Sequence, residues 1–212
     1  MSMIREIGSP EFQIWLLGDS NPVNWFENLA TPLDPRHPAR HSIWTPVLDV
    51  IQDKVYRHAR LRVDTTNVYI RNAIEEPANK PKGNVSTWLD PVLLDNQEFR
   101  SLVHKFQPVL VLSFGAFAYE FARRALGETP QYAYGYWGAR SMGVDFCKRT
   151  ENFNPKQTNI FPLLHVTIAR GKFIESHNYY CDQTGANYFD YTGSRLAEIL
   201  LAHRDSLNVW IP

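Results

Sequence analysis

Short, nearly unbroken apolar runs alternate along the chain with stretches in which apolar side chains recur every three or four residues. Four runs predict buried strands, at residues 13–17, at 61–63 continuing toward Tyr69, at 109–114 and at 161–168. Between them, Val47, Leu48, Ile51 and Val55 share one face of a predicted helix, with Thr45 as its cap and Pro46 in its first turn. Asp95 and Glu98 resemble a capping box ahead of Phe99, Leu102, Val103 and Phe106. Gly115 opens a third helix rich in alanine, which Gly127 and Pro130 end, and a fourth spans roughly residues 187–203. Strands alternating with helices predict an α/β fold, a three-layer αβα sandwich around a central, mostly parallel four-stranded sheet. Ligands are then expected at the carboxyl ends of the strands.

Gly8-Ser9-Pro10-Glu11-Phe12 reads as a linker, so residues 1–12 are expected to be a linker or disordered N-terminus and residues 13–212 a single domain. Two longer irregular stretches are expected at 77–91, with Lys80 and Lys82, and at 131–159, with Tyr132, Tyr134, Tyr136, Trp137 and Arg140. Aromatics interleaved with cations suit stacking on bases, and they equally suit a small hydrophobic cluster under a loop.

The 22 basic and 22 acidic side chains balance, so no whole-molecule positive field draws the protein to phosphates. Arg36, Arg40, Arg57, Arg60 and Arg62 offer either a local basic surface or an ordinary solvated helix face. Two cysteines, Cys147 and Cys181, are too few for a disulfide framework or a Cys-only metal site, which fits a reducing cytoplasm. No apolar run approaches the roughly 20 residues of a membrane span, and no membrane partner is expected.

Candidate chemistry falls at the predicted strand ends. The first strand runs into Gly18-Asp19-Ser20-Asn21-Pro22, where Asp19 can act as a base and Asn21 can hold a water. The fourth delivers His165, Thr167 and Arg170 to the same edge. Asn67, at the expected exit of the second strand, has the acceptor and donors needed to read a pyrimidine edge. His37 and His41 invite a metal reading, but Pro38 between them opposes helical ligand spacing.

Together these segments resemble the uracil-DNA glycosylase superfamily. Asp19-Ser20-Asn21-Pro22 is similar to its first motif, with Asp in place of Gly. The stretch from His37-Pro38 to Trp44 resembles the mismatch-specific branch, Thr66-Asn67-Val68 its Thr-Asn-Val segment, and Gly115-Ala116-Phe117-Ala118 is similar to its Leu-Gly-x-x-Ala turn. His165-Val166-Thr167 stands where a His-Pro-Ser motif belongs. The usual stacking Phe has no clear equivalent in the sequence.

The resemblance implies a monofunctional DNA N-glycosylase that hydrolyses the bond between a flipped pyrimidine and its sugar, without metal or cofactor, leaving an abasic site. Asn21 would position water with the Asp19 carboxylate, and His165 would stabilise charge on the leaving base. Asn67, Ser20, Pro22 and Trp44 would hold the base, while Arg40, Thr167, Arg170 and Lys172 would meet the DNA. The expected partner is single- or double-stranded DNA bound by a monomer. One branch of the superfamily implies an antiphage role against modified, sugar-bearing cytosines, so uracil and a bulky pyrimidine are both candidate targets.

Two rival readings stand beside it. Gly18-Asp19-Ser20 matches the first block of GDSL-type esterases, with Ser20 as nucleophile, although the required Asp-x-x-His pair near the C-terminus is missing. The third is a catalytically inert nucleic-acid-binding member of the same fold.

Overall fold

The computed structural model describes residues 6–21, 29, 31, 33–65, 67–82, 87–130, 133–171 and 175–211. Five strands form one sheet: β1 (Glu6–Ile7), β2 (Ile14–Gly18), β3 (Tyr69–Asn72), β4 (Leu110–Phe114) and β5 (Asn159–Leu163), in the order β1-β3-β2-β4-β5. The four longer strands run parallel, and β1 pairs antiparallel with β3. A parallel sheet is covered on both faces, which accounts for the unbroken apolar runs in β2 and β4. The fifth strand comes from the stretch that reads as a linker. Glu6 there ion-pairs at 2.8 Å with the buried guanidinium of Arg71 on β3.

The second strand starts later than its apolar pattern predicts. Val63 makes only an isolated bridge to Trp210, because the Gln52 side chain, one helix away, binds both its backbone N–H and its carbonyl. The ladder resumes at Tyr69, so the strand leaves the sheet at Asn72. β5 likewise stops at Leu163, five residues early, where His165 caps a four-residue helix.

Seven α-helices are present among the described residues: α1 (Thr45–Ala59), α2 (Asp90–Phe106), α3 (Ala116–Ala125), α4 (Ala139–Glu151), α5 (Val166–Ala169), α6 (Glu175–Cys181) and α7 (Tyr188–Ala202). Thr45 is not a cap. A π-turn over Arg40–Trp44 feeds α1 with helical backbone already in place, and the Thr45 hydroxyl instead accepts a bond from Arg40 Nε at 3.3 Å. Asp95 lies inside α2, which begins at Asp90 because Pro91, which lacks an N–H, fits a first turn whose N–H groups have no acceptor within the helix. α4 occupies part of the expected irregular stretch 131–159. Its buried side is narrow, Met142, Gly143 and Phe146, which leaves little periodic signal.

The chain moves from β2 to β3 on one side and then returns to β4 on the other, so β2 and β4 flank the point where the winding reverses. Such a reversal opens a crevice at the carboxyl ends of the strands. α1 packs against α7, α2 against α3, and α4 against α6. The last contact depends on Gly143, where an added Cβ would lie 1.9 Å from the Tyr180 carbonyl oxygen. A backbone atom cannot swing aside, so Gly143→Ala should lower unfolding free energy by about 1–3 kcal/mol through overpacking. A denaturant midpoint unchanged from the parent would contradict this packing.

Candidate active site

All four parallel strands deliver residues to one cleft of about 440 Å³. Gly18 ends β2 and Asp19, Ser20 and Asn21 follow it, Asn72 ends β3, Phe114 ends β4, and His165 follows β5. His37, Trp44 and Lys80 enter from the connections.

Strand register builds the first pair. Gly18 and Asn72 are cross-strand neighbours, and a Cβ on Gly18 would lie 2.7 Å from Asn72 Oδ1. The missing side chain lets the Asn72 amide lie against β2 and donate from Nδ2 to Asn21 Oδ1.

Asp19 is buried and held from two directions. Its Oδ1 accepts the Ala118 N–H in the first turn of α3 at 3.1 Å, and its Oδ2 forms an ion pair with Lys80 Nζ. A carboxylate at a helix N-terminus is favoured by both the open N–H groups and the helix dipole. Gly115, at φ +108, makes the close approach possible. A Cβ there would lie 3.3 Å from Asp19 Oδ1 and 3.2 Å from His165 Cβ. Asp19, α3 and His165 therefore converge over one glycine.

The His165 ring has a defined tautomer. Thr167 N–H donates to its Nδ1 at 3.3 Å, and the Thr167 hydroxyl lies 2.9 Å from the same nitrogen. With Nδ1 accepting, the proton of a neutral ring is on Nε2. Burial holds this imidazole below the usual histidine range; the Asp19 carboxylate opposes that, and the Lys80 ammonium adds to it. His37 repeats the arrangement. Its Nδ1 accepts the Ala39 N–H at 3.1 Å, its ring faces Trp44 at 4.1 Å, and burial pushes its pKa down to about 4 against the pull of Asp34.

The cleft thus brings together Asp19, Ser20, Asn21, Trp44 and His165 from the sequence-predicted set. Asn67 is a correction. It is exposed, its amide donates to Asp64 Oδ2 at 2.7 Å, and it does not line the cleft, because β3 exits five residues further on. Thr167 orients His165. Arg170 donates to the Ser42 carbonyl at 2.9 Å and lies over Phe189, and Arg40 binds Thr45. Pro22, Thr66, Tyr132 and Lys172 lie outside the described residues.

The basic stretch is largely paired locally. Arg36 and Arg57 bind Asp34 and Asp53, and Arg60 and Arg62 lie against Tyr56. In the aromatic stretch, Trp137 is buried and donates to the buried Glu120, and Tyr134 packs on Phe117, while Tyr136 stays exposed. Asn72, Lys80, His37 and Phe114 are the site residues that strand-end reasoning left unassigned.

Among the described residues, no three His, Cys, Asp or Glu side chains cluster as metal ligands would, and no helix is long and apolar enough to cross a membrane. Comparison with protein-family models and with curated protein sequences returns no match.

The two histidines set a pH dependence. Each binds a proton less readily when folded than when unfolded, so the unfolded chain gains protons first as pH falls below about 6.5, and stability falls with it. For His37 the loss continues to about pH 4. Thermal midpoints measured from pH 7 to 4.5 should decline, and His37→Gln should decline less steeply. A variant with the parent slope would remove His37 from this account.

Proposed function

We propose that the chain is a DNA glycosylase with the three-layer architecture of the uracil-DNA glycosylase superfamily. The reading rests chiefly on one observation: Asn21, Asn72 and a neutral His165 meet in one cleft at the carboxyl edge of a parallel sheet, beside the aromatic walls of Phe114 and Trp44.

Breaking an N-glycosidic bond develops positive charge on the sugar and negative charge on the departing base. Asn21, fixed by Asn72, would place the attacking water. The Asp19 carboxylate would favour the cationic sugar. His165 Nε2–H would donate to the oxygen on which the base accumulates charge, and a neutral donor suits this role because it leaves no competing proton transfer to resolve. Asn72 takes over the base-reading role that the sequence pattern assigned to Asn67, and Phe114 or Trp44 would stack on the flipped ring.

The cleft of about 440 Å³ has to receive the sugar as well as the base. A pyrimidine with a large 5-substituent, such as a glucosylated hydroxymethylcytosine, is proposed beside uracil.

Strands containing uracil, a G:T mismatch or glucosylated hydroxymethylcytosine should be incubated with the protein and scored for alkali-labile abasic sites. At least one should be converted, and Asn21→Ala and His165→Ala should each slow conversion by about 100–1000-fold while DNA affinity persists. Absence of abasic product on all three removes the enzyme reading. Ester turnover abolished by Ser20→Ala would replace it with the esterase.

A further inference from the structure

Lys80 lines the cleft, and the hydrolytic scheme gives its amine no chemical task. Its Nζ lies 5.6 Å from the centroid of the Phe117 ring and 5.9 Å from that of Tyr134. Its ammonium touches Asp19, about a third of the side chain remains exposed, and the residue lines the cleft. Asp19 in turn shares the space above Gly115 with His165. A sugar held for base removal between Asn21 and His165 would have its C1′ beside an amine whose carboxylate partner can accept a proton.

We infer that Lys80 gives this cleft a second activity, in departure from the monofunctional glycosylase that the resemblance implies: cleavage of the DNA strand at an abasic site through a covalent imine. The inference rests on the glycosylase reading for the source of its substrate, the ring-opened aldehyde that base removal leaves. The Lys80 ammonium passes a proton to Asp19, and the free amine adds to C1′. The resulting carbinolamine takes that proton back and loses water, forming a protonated imine. A base in the cleft, the Asp19 carboxylate, removes a C2′ proton. The electron pair closes the C1′–C2′–C3′ system as the C3′–O bond breaks, and the 3′ phosphate departs with its electron pair. Water then hydrolyses the conjugated imine, returning Lys80 and an unsaturated aldehyde. No oxidant or further reactant is consumed.

The test supplies an oligonucleotide with a preformed natural abasic site, so base excision is not needed. Incubation with the full chain and borohydride should give one covalent protein–DNA adduct, which peptide mapping places on Lys80. Without borohydride, the strand should break without alkali. Lys80→Arg retains the charge opposite Asp19 but lacks a nucleophilic amine, and it should lower adduct yield at least about 100-fold. Circular dichroism and thermal midpoint report whether that variant folds, and the mapping on the parent protein does not depend on it. A tetrahydrofuran analogue, which cannot open to an aldehyde, should give no adduct.

No adduct, an adduct mapped to another amine, or trapping of the tetrahydrofuran strand overturns the inference. Trapping without release of any base removes the glycosylase reading and leaves the Lys80 chemistry standing. Base release without trapping does the reverse.

Discussion

The Asp19 carboxylate joins three parts of the chain that are far apart in sequence. One oxygen closes the first turn of α3 through Ala118, and the other holds Lys80 in from the connection after β3. A carboxylate this buried is costly unless both its oxygens are satisfied, so its partners fix where α3 begins and where the Lys80 segment lies. The same group lies against Gly115, and through it against His165, so the last element of the cleft is positioned by the first.

Protonation within the cleft follows from this arrangement. Burial favours the uncharged imidazole at His165, and the two opposite charges nearby act on it in opposite directions. Thr167 then decides which nitrogen carries the remaining proton. At His37 the corresponding decision is made by the Ala39 N–H, two residues along the chain. In both cases a short backbone turn sets the chemistry of the ring, so small shifts in loop conformation would alter donors rather than merely move them.

Much of the α/β architecture was readable from the sequence because parallel strands are apolar on both faces and their exits are polar. Asp19, Ser20, Asn21 and His165 were found by that rule. Asn72 was missed because the apolar residues at 61–63 look like the strand, and only the Gln52 side chain, across a helix, shows why they are not. Lys80 stood out only as a loop cation, and its pairing with Asp19, 61 positions away, left no local signal. α4 was hidden by its narrow buried side and α5 by its brevity. Local pattern revealed what local burial imposes; contacts made across the fold left no periodicity to read.

Arg71 lies at the centre of β3 with its side chain almost wholly enclosed. It has a hydrogen-bonded ion pair to Glu6 and a second carboxylate, Glu98, 3.2 Å from its other terminal nitrogen without hydrogen-bonding geometry. The two residues of β1 thus act as a tethered counter-ion, delivered to an interior cation by antiparallel pairing. Trimming the leading segment as dispensable would leave that cation inside the protein without its hydrogen-bonded carboxylate and expose the flank of β3 to pairing with another chain.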